Sequence, residues 1–166
     1  MRNLEAKFRL RDLALARSRT EAIGFELRAL LIQRDTFFRV EHGKLKLREE
    51  PGAAALIHYR RDQLAGLDLS DYQIVPVANP EPMRAMLANA LGVLAEVRKE
   101  RTLMMRGNIR LHLDRVEGLG EFGEVEAVLD ANVSAESSRP AVDEILAALE
   151  VSELIGVSYF ELSRRL

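Results

Sequence analysis

Apolar and polar residues alternate along several stretches of this chain, beginning close to its first residue. From Asn3 to Arg11 every second position is apolar, and the positions between carry polar or charged side chains. Successive side chains of a β-strand point to opposite faces, so this spacing predicts a strand with one wholly polar face. The same alternation recurs from Lys44 to Arg48, where cations share one face and leucines share the other.

Other segments with strand or helix patterns are separated by glycine, proline and short polar runs. We predict strands over Asn3–Arg11, Phe25–Gln33, Asp35–Val40, Lys44–Arg48, Ala54–Arg61, Tyr72–Val77 and Val93–Leu103. Helical spacing and capping residues predict helices over Leu13–Ile23, Glu81–Leu91 and Pro140–Leu149, with a last helical pattern over Ser158–Leu166. Loops are expected over Asp62–Ser70 and Asn132–Arg139. The order strand, helix, strands occurs twice, without a residue-level repeat.

The stretch from Asn108 to Leu129 is predicted to form a β-hairpin, because it holds two alternating runs joined by a glycine-bearing loop. In its second run Glu124 and Glu126 are two positions apart and therefore share a face. Carboxylates side by side on a β-ribbon repel each other unless something positive lies between them. A divalent cation with oxygen ligands would supply that charge. The alternative interpretation is a strand face that is simply solvated.

Composition limits the classes of protein to consider. The chain has 166 residues, of which 48% are hydrophobic, so we expect one globular domain. It lacks cysteine, which excludes disulfides and thiolate metal sites. Its beginning does not resemble a signal peptide and no apolar run could cross a bilayer, so we expect a cytoplasmic protein without a membrane partner. The net charge of −2, from 24 basic and 26 acidic residues, argues against a broad nucleic-acid surface.

The charges on the polar strand faces are mostly lysine and arginine, with a few carboxylates among them. A sheet that closed with these faces inward would form a charged tunnel. Unpaired buried cations destabilise a fold, so such a tunnel implies a polyanionic ligand. Cations together with a few carboxylates suit a polyphosphate, whose oxygens bind the cations and a bridging divalent ion. A barrel whose charged faces are merely solvated is the alternative.

With these residues in view, the chain resembles the CYTH superfamily, the triphosphate tunnel enzymes that include class IV adenylyl cyclases and thiamine triphosphatases. The resemblance spans nearly the whole chain and depends on the order and spacing of short motifs. Those motifs are Asn3-x-Glu5-x-Lys7, DTFFR at Asp35–Arg39, KLKLRE at Lys44–Glu49, Val97–Arg101, and Asp114 followed by GLGEFGEVE.

The resemblance implies an α+β fold: an eight-stranded antiparallel β-barrel with flanking helices and a C-terminal helical pair at about 139–166. One domain over residues 1–166 is expected. It also implies a reaction on a triphosphate assisted by Mg²⁺ or Mn²⁺, and the branch it resembles most is the adenylyl cyclase, which converts ATP to cyclic AMP and pyrophosphate. The alternatives are a triphosphatase for inorganic, nucleoside or thiamine triphosphate, and a sensor that binds nucleotide or polyphosphate without turnover.

The resemblance assigns roles residue by residue. The metal ligands would be Glu5, Glu124 and Glu126, with Asp114 as a further candidate. The triphosphate would be held by Lys7, Arg9, Lys46, Arg48, Arg61, Lys99, Arg101 and Arg110. The catalytic residues would be Lys7, Tyr59 and Arg61, with Arg60 as the alternative to Arg61. We expect a small-molecule triphosphate as the partner, and a homodimer as an allowed assembly.

Two positions depart from the family pattern. Asn3 stands where the family has its first glutamate, and a neutral amide oxygen binds hard cations less well than a carboxylate does. We therefore expect weaker metal binding, or one ion fewer, which puts the reaction itself in question. His112 shares a strand face with Arg110 and Asp114 and belongs to no family motif, so it is interpreted as a pairing residue.

Overall fold

The computed structural model describes residues 2–64 and 67–164, which form eight strands and four helices. The strands are β1 (Arg2–Arg9), β2 (Glu26–Phe38), β3 (Lys44–Glu50), β4 (Ala53–Leu64), β5 (Leu67–Pro76), β6 (Val93–Arg106), β7 (Ile109–Val116) and β8 (Gly120–Leu129). The helices are α1 (Leu13–Ala22), α2 (Pro80–Leu91), α3 (Ala135–Ala148) and α4 (Tyr159–Ser163).

The strands close into one antiparallel barrel in the order β1-β5-β4-β3-β2-β6-β7-β8, and β8 pairs back onto β1. This confirms the predicted eight-stranded barrel with flanking helices. The closing register places Glu5 opposite Glu126 and Lys7 opposite Glu124. Each half of the chain supplies one strand, one helix and a three-stranded meander. The duplicated order seen in the sequence is therefore a duplicated arrangement in the barrel.

Two strand predictions between residues 25 and 70 are wrong. The two short strands expected over 25–33 and 35–40 form one continuous strand, β2, which pairs with β6 along nearly all of its length. The loop expected over Asp62–Ser70 is wrong for its described residues, because β4 continues to Leu64 and β5 begins at Leu67, while residues 65 and 66 lie outside the described part of the chain. In both places polar residues interrupt the apolar pattern, yet several of them point into a charged interior, where polar side chains are compatible with a strand.

The helix prediction near the C-terminus needs one correction. Helix α3 begins at Ala135, within the segment expected to be a loop, and Pro140 lies inside it. The small polar residues there are capping residues, because Ser134 accepts a hydrogen bond from the Ser137 backbone N–H and a reciprocal bond completes a capping box. At the other end of the chain, α1 starts as predicted, with Asp12 accepting from the Leu15 backbone N–H.

The main apolar core lies outside the barrel wall, between β1, β7, β8 and the helices α1 and α3. Its fully buried members include Leu4, Phe8, Leu111, Leu113, Val125, Val142 and Ile145. Gly123 is required within this core, since a Cβ atom at that position would come within 2.1 Å of the Phe8 ring. The apolar faces of these strands point outward under the helices, so their polar faces point inward.

A second apolar cluster joins strand residues to the short helix α4. Tyr159 and Phe160 of α4 pack against strand residues, with the Phe160 ring 5.2 Å from that of Phe37 and the Tyr159 ring 5.0 Å from that of Phe122. Ser158 caps this short helix in a capping box with Glu161. Within the described part of the chain, none of the helices combines the length and apolarity that a bilayer crossing requires.

Candidate active site

The barrel encloses a cavity of about 270 Å³, and eleven of the residues that line it are Lys, Arg, Asp or Glu. The basic residues that line it are Lys7, Lys46, Arg48, Arg61, Lys99, Arg101 and Arg110. The acidic residues that line it are Glu5, Asp35, Glu124 and Glu126. The described lining therefore carries more positive than negative charge, although the whole chain has a net charge of −2. This excess makes the interior suited to an anion.

Asp35 and the three cations around it, Lys46, Arg48 and Lys99, form what we call the cationic cluster. Arg48 donates two hydrogen bonds of 2.7 Å to the Asp35 carboxylate. Lys46 and Lys99 lie 3.0 and 3.2 Å from the Asp35 Oδ2 atom. Burial would raise the pKa of Asp35, but Arg48, Lys46 and Lys99 together hold it well below its usual range. One ionised carboxylate thus forms ion pairs with three cations.

Burial and neighbouring positive charges lower the pKa values of the two lysines in this cluster. Burial lowers the pKa of Lys46 to about 8, with Arg48 adding to the effect and Asp35 opposing it. Burial also lowers the pKa of Lys99 to about 7, although Asp35 again acts in the opposite direction. Lys99 is therefore partly uncharged near neutral pH. An anionic ligand beside it would favour the charged form and raise this pKa.

Glu5, Glu124 and Glu126, from β1 and β8, form what we call the acidic cluster. Lys7 is hydrogen-bonded to Glu124, and Arg61 lies 3.0 Å from Glu5 and 3.6 Å from Glu124. Burial raises the pKa of Glu5 to about 7 against the pull of Arg61, and the neighbouring Glu126 and Glu124 raise it further. Burial would also raise the pKa of Glu124, but Lys7 and other nearby cations hold it well below its usual range.

The residues of this cluster fit a divalent cation. One ligand atom each from His112, Glu124 and Glu126 lies within 4.8 Å of the other two. The Nδ1 atom of His112 is buried without a hydrogen-bond partner. Burial raises the pKa of Glu5, the neighbouring Glu126 and Glu124 raise it further, and a bound cation would lower it.

Asn3, the departure from the family motif, faces the cavity and is 3% exposed. Its Nδ2 atom donates to Glu126 Oε2 at 3.3 Å, and its Oδ1 atom accepts from the Tyr72 hydroxyl at 3.3 Å. A glutamate at this position would place a fourth carboxylate beside Glu126. The amide instead supplies a hydrogen-bond donor, so Asn3 acts here as a support that orients Glu126.

Asp114 is not brought into the acidic cluster. Arg101 donates hydrogen bonds of 2.7 and 2.6 Å to its two carboxylate oxygens, and the Tyr159 hydroxyl donates to one of them at 2.9 Å. Burial would raise the pKa of Asp114, yet Arg101 lowers it to about 2. The carboxylate is therefore ionised and fully engaged. It positions Arg101, which also donates to Glu124 at 3.0 Å, and this arrangement does not support the expected role of Asp114 as a metal ligand.

The arginines and tyrosine of the fourth strand are placed unambiguously. Tyr59 and Arg61 line the cavity, whereas Arg60 is exposed. Burial raises the pKa of the Tyr59 hydroxyl, so it stays protonated and acts as a donor. Burial would lower the pKa of Arg61, but Glu5 and Glu124 raise it above its usual value, so its charge is permanent.

Two further arginines expected to bind phosphate differ in position. Arg110 lines the cavity, with its side chain 37% exposed and 3.8 Å from Glu126. Arg9 shares the alternation of β1 but lies outside the cavity lining and is exposed. Its guanidinium donates to the Leu119 carbonyl at 3.2 Å and stacks 4.8 Å from the centre of the Phe122 ring. The structure therefore does not bring Arg9 to the site.

Sequence reasoning missed several residues of the cavity. Asp35 is the centre of the cationic cluster, and the DTFFR motif that carries it was the available signal. Gln33, two positions earlier on the same face of β2, also lines the cavity. Tyr159 reaches the cavity from α4, where its cation–π contact places the Lys7 Nζ atom 4.2 Å from the ring centre. No periodicity within the strands indicates that a C-terminal residue enters the barrel.

A closed antiparallel barrel with an ionised interior defines a tunnel for a highly charged small ligand. Comparison with protein families matches residues 1–161 to the CYTH domain, and the chain belongs to this family. This membership supports a role in phosphoryl transfer on a triphosphate bound in the tunnel.

Solved structures show the same fold at low sequence identity. A protein from Pyrococcus horikoshii OT3 is 20% identical, with a TM-score of 0.86, and the match covers 96% of this chain and 98% of that one. A protein from Vibrio parahaemolyticus assigned as an adenylate cyclase is 18% identical, with a TM-score of 0.75 and coverage of 98% and 97%. A Hippeastrum protein assigned as an adenylyl cyclase and described by a dominant triphosphatase activity is 19% identical, with a TM-score of 0.69 and coverage of 98% and 95%. No curated protein matches the chain in sequence.

Proposed function

We propose that this protein is a metal-dependent phosphoryl-transfer enzyme that hydrolyses a triphosphate bound inside the barrel. The observation that carries the proposal is the presence of a cationic cluster and an acidic cluster in the lining of one cavity. A triphosphate bound with a divalent cation carries charges of both signs and is complementary to both clusters. The cavity volume of 270 Å³ lies at the lower end of ligand pockets, which enclose about 300–1,000 Å³. That size suits a polyphosphate chain.

The cationic cluster would bind the phosphate oxygens. Arg48 offers a planar guanidinium that matches phosphate geometry, and Lys46 and Lys99 add two point charges beside it. In the ligand-free protein these three cations share Asp35. A triphosphate would supply the missing negative charge, so binding replaces an under-neutralised cluster with a neutralised one. Arg101 would extend this surface toward the acidic cluster, since its orientation is fixed by Asp114.

The acidic cluster would hold the divalent cation, Mg²⁺ or Mn²⁺, through Glu5, Glu124 and Glu126. When bound, such an ion neutralises the charge of the phosphate chain and polarises its phosphorus–oxygen bonds. Asn3 keeps Glu126 oriented through the 3.3 Å hydrogen bond to its carboxylate. Lys7 and Arg61 lie against the same carboxylates and would offset the charge that develops on the leaving phosphate. The Tyr59 hydroxyl would donate a hydrogen bond to a phosphoryl oxygen.

In the hydrolytic reaction a water oxygen bonds to the terminal phosphorus, and the bond from that phosphorus to the bridging oxygen breaks. Orthophosphate and a product shorter by one phosphate result, with one proton released. The protein contributes mainly by holding the phosphate chain in one place and by supplying preorganised charge, which is the usual division of labour in phosphoryl transfer. Tyr159 lines the cavity and packs with Phe160 in an apolar cluster, which would limit access of water from that side.

Cyclisation of ATP is the second candidate. Apolar side chains line the cavity beside the charged clusters, and they would offer a surface for a purine base. These residues are Leu31, Ile57, Ile74, Val97 and Leu103. Two structural neighbours carry adenylate cyclase names. In this reaction the ribose 3′-oxygen attacks the α-phosphorus and pyrophosphate leaves.

Incubation with ATP, inorganic triphosphate and thiamine triphosphate, each with Mg²⁺ or Mn²⁺, tests the proposal. We expect orthophosphate from at least one substrate, and no product from a Glu124→Gln variant. Cyclic AMP and pyrophosphate from ATP would establish the second candidate instead. Tight binding of every ligand without product would identify a sensor. Absence of both binding and product would overturn the assignment of the cavity as a triphosphate site.

A further inference from the structure

His112 is a charged-cluster neighbour that belongs to none of the family motifs. It lies on β7 between Arg110 and Asp114, lines the cavity and is 5% exposed. Its Nδ1 atom is buried and makes no hydrogen bond. A buried imidazole nitrogen without a partner is costly, because it has lost its contacts with water. Such an atom pointing into a cavity indicates that a ligand-bound state supplies the partner.

The position of this nitrogen relative to the acidic cluster identifies the kind of partner. His112 Nδ1 lies 3.5 Å from Glu124 Oε2 and 3.6 Å from Glu126 Oε1. Ligands bound at about 2.1 Å to one tetrahedral ion are separated from each other by about 3.4 Å. The nitrogen is therefore spaced from both carboxylate oxygens as ligands of a single ion would be.

The chemistry of this donor set differs from that of an all-carboxylate site. Oxygen donors alone suit Mg²⁺, Ca²⁺ and Mn²⁺, whereas an imidazole nitrogen favours later transition ions such as Co²⁺, Ni²⁺ and Zn²⁺. Asn3 also disfavours Mg²⁺ at this site. Its Nδ2 atom is a donor to Glu126, and the position lacks the additional carboxylate that Mg²⁺ would prefer. The competing explanation is a protonated imidazole that pairs with the two carboxylates.

We propose that His112 Nδ1 is a direct metal ligand alongside Glu124 and Glu126, which makes this tunnel selective for Co²⁺ or Zn²⁺ over Mg²⁺. The inference rests on the metal site of the proposed function and adds a nitrogen ligand to it. Selectivity for the metal ion would then come from His112 alone. The roles of the carboxylates and of the phosphate-binding cations would be unchanged.

Pulsed electron paramagnetic resonance of the full chain loaded with one equivalent of Mn²⁺ tests this directly. We expect modulation from a nitrogen nucleus bound to Mn²⁺ in the wild type and its loss in His112→Asn. The exposed His42 provides the matched control, and His42→Asn should keep the nitrogen signal. Circular dichroism and thermal unfolding establish that both variants are folded.

Metal affinity gives a second readout that does not depend on turnover. Titration calorimetry of His112→Asn should show the Co²⁺ Kd raised by about tenfold or more, since even outer-shell partners of metal ligands contribute about ten- to a hundredfold. The Mg²⁺ Kd should change much less, because an amide oxygen is an acceptable ligand for that ion.

The outcomes separate this inference from the proposed function. Mn²⁺ binding without nitrogen modulation would overturn the role of His112 and leave the carboxylate site and the reaction intact. Nitrogen modulation in a protein that hydrolyses no triphosphate would support His112 as a ligand and remove the proposed reaction. Failure to bind Mn²⁺ at all would overturn both.

Discussion

The two charged clusters inside the barrel use the same residue types in opposite proportions. In the cationic cluster three cations share Asp35, and two of them, Lys46 and Lys99, have lowered pKa values. In the acidic cluster three carboxylates lie together, and Glu5 has a raised pKa of about 7. The clusters also differ in their pairing, because Lys7, Arg61 and Arg101 all lie against Glu124, whereas three cations share the one carboxylate of Asp35. The difference supports the proposed ligand, in which the triphosphate would bind the cationic cluster and a divalent cation would bind the carboxylates.

The largest effect should come from removing the single carboxylate of the cationic cluster. Asp35→Asn leaves three buried cations without a counter-charge, and breaking a buried ion pair costs about 3–5 kcal/mol. Arg48 cannot lose its proton to escape this cost. We expect the free energy of unfolding, measured by urea denaturation, to fall by this amount, and inorganic triphosphate to stabilise the variant more than the wild type. Asp143→Asn on the surface of α3 is the control and should change stability by less than about 0.5 kcal/mol. A variant as stable as the wild type would mean that the cluster is not strained.

A change in the acidic cluster should affect turnover rather than stability. Glu126→Gln removes a charge but keeps the shape of the side chain, so the fold should remain. We expect turnover to fall by about a hundredfold or more, because even outer-shell changes at metal sites reach about a hundredfold. Steady-state kinetics over a range of Mn²⁺ concentrations measures the effect. Glu117→Gln in the exposed turn before β8 should behave as the wild type, and equal activity of both variants would remove the proposed metal site.

Substrate affinity should depend on the cationic cluster in a salt-dependent way. Lys46→Ala removes one phosphate-binding charge, and hydrogen bonds to charged groups contribute about 1.5–3 kcal/mol, so we expect the triphosphate Kd to rise about tenfold or more at low salt. The ratio of the variant Kd to the wild-type Kd should be smaller at high salt, because screening already weakens the wild-type contact there. Titration calorimetry at two salt concentrations measures it. Arg98→Ala, on the exposed side of β6, is the control, and an equal loss in both variants would indicate general attraction rather than a specific contact.

The smallest predicted effect is the uptake of protons when a triphosphate binds. At pH 8 Lys99, with a pKa of about 7, is mostly neutral, and Lys46, with a pKa of about 8, is half charged. A bound triphosphate raises both values, so binding should take up on the order of one proton. At pH 6 both lysines are already charged and the uptake should disappear. Calorimetry in buffers of different ionisation enthalpy measures this, and heats that do not depend on the buffer at pH 8 would show that both lysines are charged without ligand.

The family motifs predicted the barrel, and alternation predicted which side chains of each strand share a face. Alternation places Glu124 and Glu126 on one face of β8 and Glu5 on the polar face of β1, and all three line the cavity. Alternation does not predict how far along the barrel axis a residue lies. Arg9 is therefore on the predicted face but outside the cavity. Alternation also gave a wrong boundary at Asp62–Ser70, because polarity typical of a loop is equally compatible with strands that face ionised neighbours.

Other features depend on contacts between distant parts of the chain. Asp35 becomes the centre of a cluster only because Lys99, 64 positions later, is brought beside it. Asp114 is engaged by Tyr159, 45 positions later, from a helix that no strand pattern connects to the interior. Such pairings are set by register and by the packing of α4. The periodicity of a single sequence contains no information about register or about the packing of α4.

The pairing of β1 with β8 has a consequence for how the molecule is made. Asn3 and Glu126 meet across the closing seam although they are 123 positions apart in the chain. The cationic cluster belongs to β2, β3 and β6, whereas the acidic cluster needs both β1 and β8. During synthesis the first strand leaves the ribosome long before its partner, and contacts so far apart in sequence form slowly. We therefore expect the proposed metal site to be the last part of the barrel to be completed, so that metal binding by a newly made chain would report that folding has finished.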